Sequence, residues 1–329
     1  MKIGNRLLPQ WCTVFSLVVC ASIAGAALAQ PYPDKDKQIR MIVASVPGGA
    51  TDRAARMIGQ SFTEAWGQLA IFDYRGGAGG NIAFEVAAKA PPDGYALLVM
   101  STSFLINPSL YSKLPFDTIK DFAPITQYTA QVYYLVVHPT VPAKTVKELI
   151  ALAKSKKGGI TYASSGTGQA GHLGMELLKT RGGFEGVHVP YKGASPAMVD
   201  LMAGQVDAYL TSQAGLSYVK AGKMKALAVT GLKRSVFMPD LPTVAESGFP
   251  GFEVTGLQGL VAPAGTPRAI VAKLYEVISK SLKLPAFRDR LVADGSEPVG
   301  STPEEFAAYI KADTIKWAKV VKQSGAKVN

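Results

Sequence analysis

The chain has 329 residues and a formal net charge of +11; that length exceeds one typical hydrophobic core and predicts two lobes. Its basic residues are scattered in runs no longer than two, as at Lys156-Lys157, with no interleaved aromatic patch. This excludes a nucleic-acid groove and leaves an anionic surface or anionic small ligands as the partners of a basic balance. 

The N-terminus reads as an export signal. Lys2 and Arg6 form a basic n-region, 11–28 is apolar, and Ala27-Leu28-Ala29 is an A-x-A cleavage site, so 1–29 is expected to be removed and Gln30 to begin the mature chain. The polar residues Asp34 to Lys37 argue against a retained anchor, and no later apolar run is long enough to span a bilayer. Removing Lys2 and Arg6 takes the net charge from +11 to +9. Cys12 and Cys20 both lie in the signal, so the mature chain is expected to have no disulfide, thiol nucleophile or cysteine metal site.

From residue 39 onward short apolar strands alternate with helical patterns, as in an α/β fold with a mostly parallel sheet flanked by helices. A strand over 39–44 meets Pro47-Gly48-Gly49, and a helix over 52–66 follows, with Thr51 or Asp52 as its cap. Strand, glycine turn and helix N-terminus together present backbone N–H groups suited to a carboxylate. A strand over 69–74 leads to R-G-G-A-G-G-N at 75–81 and a helix over 82–90; Pro91-Pro92-Asp93-Gly94 turns into a strand over 95–100. Ser101, Thr102 and Ser103 then either offer hydroxyls to a cleft or cap a helix over 104–110.

A long extended segment over 126–138, rich in Tyr and Val, is expected to cross to the second lobe, which repeats the plan. There a helix over 146–156 and a strand over 160–163 precede S-S-G-T-G at 164–168, a second loop suited to a carboxylate, and a helix over 171–180. Further strands are expected at 187–189, 206–210 and 226–229, with a helix over 196–203. The loop-rich stretch after Leu232 is the return crossing, 254–262 rejoins the first lobe as a strand, and helices over 267–282, 285–293 and 303–321 close the chain, each opened by a proline. The expected lobe bounds are 30–129 and 232–329 for the first and 130–231 for the second, joined by two crossings in a hinge-closing arrangement.

Three other chemistries are weighed on the residues. Gly166 to Gly171 matches G-x-G-x-x-G, but the nearest acid, Glu185, precedes the following strand where the dinucleotide pattern wants it at that strand's end. A hydrolase or lyase needs a nucleophile–base pair, for which Ser164 or Ser165 with His172 is the available set. No H-E-x-x-H, G-x-S-x-G or spaced Cys/His set occurs. Asp207, an acid at an apolar strand entrance, needs buried donors.

P-G-G-A-T-D-R-A-A-R, G-A-G-G-N-I-A, P-D-G-Y-A-L-L, Y-A-S-S-G-T-G-Q-A-G-H-L, V-P-Y-K-G and A-P-A-G-T-P stand in order from Pro47 to Pro267. Together they resemble the Bug-type (TctC-like) solute receptors of tripartite tricarboxylate transporters. The resemblance implies a two-lobed, Venus-flytrap periplasmic binding protein, monomeric and without cofactor, metal or catalytic activity. It would deliver a small carboxylate (a di- or tricarboxylate, an acidic amino acid or an aromatic carboxylate) to a membrane permease of one large and one small subunit; a carboxylate-sensing module is the alternative. Carried over by position, Pro47, Gly48, Gly49 and Ala50 with Ser164, Ser165, Gly166, Thr167 and Gly168 would hold a carboxylate, Ser101, Ser103 and Asn107 would line the first lobe, and Asp207 would lie near the cleft. Asp52 and His172 join these as candidates from their places in the first helical turns. The chain departs from the family pattern at Asp73-Tyr74, where an E-N-R-P segment is usual, and at Leu257-Gln258, where an aromatic is usual.

Overall fold

The computed structural model describes residues 32–45, 47, 48 and 50–327, so the signal segment and Gly49 lie outside the described residues. The described residues fall into two units, divided between Lys37 and Gln38. In the first, residues 32–37 include a turn in which the Lys37 N–H donates to the Asp34 carbonyl and the Asp36 N–H to Asp34 Oδ1. The rest concerns the second.

Elements follow in the order β1 (Ile39–Val43), α1 (Ala50–Trp66), β2 (Ala70–Tyr74), α2 (Asn81–Ala88), β3 (Ala96–Ser101), α3 (Ser103–Leu110), β4 (Phe122–Val132), β5 (Tyr134–Val137), α4 (Val146–Ser155), β6 (Ile160–Ser164) and α5 (Ala170–Gly182). Then come β7 (Gly186–Pro190), α6 (Ala194–Met202), β8 (Ala208–Thr211), α7 (Leu216–Lys220), β9 (Lys225–Val229), β10 (Thr255–Pro263), α8 (Arg268–Lys283), α9 (Pro285–Ala293), β11 (Glu297–Pro298) and α10 (Pro303–Ser324). They build two sheets, ordered β11-β4-β10-β3-β1-β2 and β7-β6-β8-β5-β9. Each has a parallel half made by strand–helix–strand units: β1 pairs with β2 and β3, and β6 with β7 and β8. The other half of each is antiparallel, because it holds the crossing strands: β4 leaves the first sheet and β10 returns to it, while β5 enters the second and β9 leaves it. Met41, Ile42 and Val43 are fully buried, the signature of a central strand covered on both faces.

The extended segment expected at 126–138 is two strands. β4 ends at Val132 in the first sheet and β5 starts at Tyr134 in the second, so Tyr133 alone carries the outward crossing. The return crossing passes beside it through Thr230, which is fully buried. The Thr230 N–H donates to the Tyr133 carbonyl and Thr230 Oγ1 accepts from the Tyr133 N–H, both at 2.9 Å. The same hydroxyl donates to the Val254 carbonyl at 2.5 Å, and the Val254 N–H returns to the Thr230 carbonyl at 3.0 Å. One side chain therefore ties both crossings.

Helix α10 begins in a capping box, Thr302 with Glu305, and packs against α3 and β4 of the first lobe and α5 of the second. Its Trp317 is fully buried, with Nε1 donating to Asp313 Oδ2 at 2.7 Å. The short elements α7 and β11 carry no periodicity of their own. β11 exists because Glu297 and Pro298 pair with Ala130 and Thr129.

Candidate functional site

The two loops expected to hold an anion share one device. In the first, Asp52 sits in the opening turn of α1, and its Oδ2 accepts the Gly48 N–H at 2.7 Å. In the second, His172 sits in the opening turn of α5, and its Nδ1 accepts the Gly168 N–H at 3.0 Å. In both, a helical side chain takes the N–H of the glycine four residues before it. Those two amides are thus already satisfied within the protein.

Asp52 is buried, yet its carboxyl is held below the ordinary range. Burial pushes it up, and the Gly48 amide, the Tyr74 hydroxyl and Arg56 together push it further down. The hydroxyl of Tyr74 donates to Asp52 Oδ1 at 2.5 Å and Arg56 Nε donates to the same oxygen at 2.9 Å. Tyr74, one of the departures from the family pattern, is therefore part of the Asp52 clamp, while its neighbour Asp73 accepts from Arg40 and Arg75.

His172 is neutral for a parallel reason. Burial is the chief cause that lowers its pKa to about 3, with His188 and Lys179 adding to it. Its ring stacks on His188 with centroids 3.8 Å apart, and His188 stacks on Tyr162 at 5.2 Å. Tyr162 donates to Glu176, which pairs with Lys179 at 2.9 Å. Ser164 is fully buried and its Oγ meets His188 Nε2 at 2.7 Å. The nucleophile–base pair that the hydrolase reading required, Ser164 or Ser165 with His172, is not formed: Ser164 takes His188 and His172 takes a backbone amide.

A partly open space lies beside these loops. A cavity of about 150 Å³ is lined by Thr51 of α1, by Ser101, Thr102 and Ser103 at the β3–α3 junction, and by Thr129, Gln131 and Tyr133 of the outward crossing. Gly256, Leu257 and Gln258 of β10, Gln169 and Ala170 at the start of α5, and Ser296 complete it. Among the described residues, none of the lining is charged. The cavity lies at the carboxyl end of β3, the region where open α/β sheets place ligands. Ser101 and Ser103 share a hydrogen bond at 3.0 Å. Thr102 does not cap α3 with its side chain: its Oγ1 accepts the Leu257 N–H at 3.0 Å and so pins β10 to the junction. Burial, with Tyr209 adding to it, pushes the Tyr133 phenol up to about 12, so it stays protonated and able to donate. Gln169 is the cap residue of α5, and the first N–H groups of a helix lack intrahelical acceptors.

Two close approaches bring the lobes together around this space. Gly168, at φ +78°, lies so near α3 that a Cβ there would stand 2.5 Å from Leu110 Cδ1. Gly295, at φ +81°, seats the Gln213 carboxamide where a Cβ would overlap it.

Of the candidate residues, Ser101 and Ser103 line the cavity. Pro47 and Gly48 form the exposed turn before α1, and Ala50 opens that helix. Ser164, Ser165, Gly166, Thr167 and Gly168 are not among the lining residues, although Thr167 is exposed and Ser165 and Gly166 are half-buried; Ser165 accepts the Gly193 N–H through its carbonyl, and Gln169 and Ala170, next along the chain, line the wall. Asn107 is buried and donates to the Gly79 carbonyl and Asn81 Oδ1, tying α3 to the G-A-G-G loop. Asp207 stands at the other end of its strand. Its Oδ2 accepts from the Thr161 N–H at 2.8 Å and from Lys156 at 3.0 Å, beside the start of β6, whereas the S-S-G-T-G loop leaves that strand's end. Those are the donors that this half-buried acid needs. Thr129, Gln131, Tyr133, Gln169 and Ser296 were not singled out from sequence. Thr129, Gln131 and Tyr133 are spaced by two, the period that puts strand residues on one face, and this was the signal available.

Residues 54–326 match the sequence profile of the tripartite tricarboxylate transporter family receptor. Protein BugT of Bordetella pertussis is 34% identical over 314 residues, which span 94% of this chain and 96% of that protein. The structure of R. palustris Rpa4515 with adipate superposes with a TM-score of 0.77 at 34% identity, covering 90% of this chain and 100% of that one. MatC (Rpa3494) from Rhodopseudomonas palustris with bound malate gives a TM-score of 0.71 at 30% identity, covering 87% and 99%.

Proposed function

The chain belongs to the tripartite tricarboxylate transporter family of receptors, and on that footing we propose that it captures a small carboxylate in the 150 Å³ cavity between its lobes. The observation that carries this reading is the wall itself: Thr51, Ser101 and Ser103 line it together with Gln169 and Ala170 at the start of α5, and among the described residues none of its lining is charged. Such a wall replaces the water shell of a carboxylate with neutral donors, which stabilise the anion without a competing salt bridge. Adipate and malate, the ligands of the two solved relatives, are both carboxylates. Closure follows from differential affinity: a ligand that touches both lobes binds the closed arrangement more tightly and shifts the population toward it.

The closed form is then what a membrane permease of one large and one small subunit recognises, on the periplasmic side, after the signal over 1–29 is removed. The chain acts by binding and not by catalysis, in keeping with Ser164 being sealed from solvent.

The test is a thermal-shift panel on the chain from Gln30 onward with citrate, C4-dicarboxylates, acidic amino acids and aromatic carboxylates. A ligand at about one hundred times its Kd adds roughly 2.7 kcal/mol, which for a chain of this size raises Tm by on the order of 2–4 °C. One carboxylate class should give that shift selectively. A flat response across the panel from refolded, ligand-stripped protein would sink the reading.

A further inference from the structure

A wider chamber of about 570 Å³ adjoins the cavity, with Arg53, Gln131, Ser212, Gln213, Ser217 and Asp294 in its wall. Gln131 lines both spaces, so it stands where one meets the other. The chemistry changes there. Among the described residues the inner cavity has no charged lining residue, whereas the outer one has an ion pair, Arg53 with Asp294. Arg53 Nε donates to Asp294 Oδ1 at 3.1 Å and Nη1 to the Gly48 carbonyl at 3.0 Å. Among the described residues Nη2 has no protein acceptor, and the side chain keeps 47% of its surface exposed. A guanidinium has five N–H donors in a planar fork, so one edge remains for an incoming anion while Asp294 and the loop carbonyl hold the others.

We propose that these two spaces form a divided site for an extended dianion. The inner cavity takes one carboxylate, Gln131 flanks the chain that joins the two ends, and Arg53 receives the second carboxylate in the outer chamber. The proposal rests on the reading of the inner cavity given above. A monocarboxylate gains nothing from Arg53. A dicarboxylate long enough to pass Gln131 gains a charge-assisted hydrogen bond, screened by the solvent that reaches the outer chamber. Gln131 therefore sets the length at which the second charge begins to count.

Calorimetric titration tests this with straight-chain dicarboxylates from succinate to suberate and monocarboxylates of matching length, against the parent chain, Arg53→Gln, Arg53→Lys, Gln131→Ala and Ser103→Leu. The parent should bind dicarboxylates above a threshold length more tightly than their monocarboxylate counterparts. Arg53→Gln should remove that gain, about tenfold in Kd or 1.4 kcal/mol, and leave monocarboxylates within about twofold, whereas Arg53→Lys should keep part of it. Gln131→Ala should shift the threshold length. Equal loss for both ligand classes in Arg53→Gln, or no loss for either, overturns the divided site. If Ser103→Leu abolishes binding while Arg53→Gln is silent, the inner cavity stands and the outer subsite falls. If the parent binds no member of the series, both fall. The Arg53–Asp294 pair is partly exposed, and such pairs add little to stability, so Arg53→Gln should fold like the parent by circular dichroism.

Discussion

Asp52 and His172 are ionisable groups placed where a ligand-binding residue would be expected, and each instead completes the loop it follows. Their protonation windows are separate. The His172 imidazole has an ordinary pKa of 6.5 and is held near 3 in the fold, so the unfolded chain binds its proton first as pH falls. Its contribution to stability is therefore complete above about pH 6.5 and declines below it, by up to about 1.4 kcal/mol per pH unit. His188 is also lowered by burial and acts with the same sign. Asp52, lowered from 3.8, supports the fold down to that range and loses its contribution only below it. Urea denaturation at pH 7, 6 and 5 should accordingly show falling stability in the parent and a shallower fall in His172→Gln. An identical slope in the variant would mean that the buried ring is not the titrating group. No residue-level signal in the sequence marks either side chain as its own loop's acceptor. Asp at a helix start and His after a glycine loop read equally well as ligand contacts, and only the i to i+4 geometry decides.

At the scale of elements, the site depends on where β4 stops and how the return strand is held beside it. Thr230 binds Tyr133 and Val254 together, so Thr230→Val keeps the shape but leaves the Tyr133 N–H without its acceptor. An unsatisfied buried donor costs about 1–3 kcal/mol. The variant should lose stability of that order in chemical denaturation, and a change under ~0.5 kcal/mol would show that the crossings are held by other contacts. The strand–helix alternation was legible because buried parallel strands are continuous apolar runs, as at Met41 to Val43, and because glycine turns and prolines punctuate them. The wall of the cavity was less so. Thr129 and Gln131 alternate on β4 and Tyr133 continues their spacing into the crossing, but a polar face on a strand reads the same whether it meets open solvent or a pocket, and Gln258 joins Thr129 only through the antiparallel register of β10. The carboxylate loops drew attention by their glycines, yet the glycine at 168 serves close packing against Leu110 as much as backbone approach.

For the whole molecule, the consequence is a cleft whose walls come from distant sequence. First-lobe strands, the crossing and the N-terminus of α5 each contribute to one cavity, while α10 packs on both α3 and α5. The order of the motifs from Pro47 to Pro267 gave the family and the two-lobed plan. It could not give the close approaches of Gly168 to Leu110 and of Gln213 to Gly295 beside the cavity, contacts between residues far apart in the chain. The central claim is that this cavity, and not the exposed turn at Pro47-Gly48, is where the carboxylate binds. The most direct measurement is a calorimetric titration of the best-shifting carboxylate into the parent chain and into Ser103→Leu, whose side chain takes up the inner space. The account predicts loss of binding in Ser103→Leu with Tm within about 2 °C of the unliganded parent, a stability change of under about 1 kcal/mol. Unchanged affinity in a folded Ser103→Leu would contradict it and move the ligand out of the cavity.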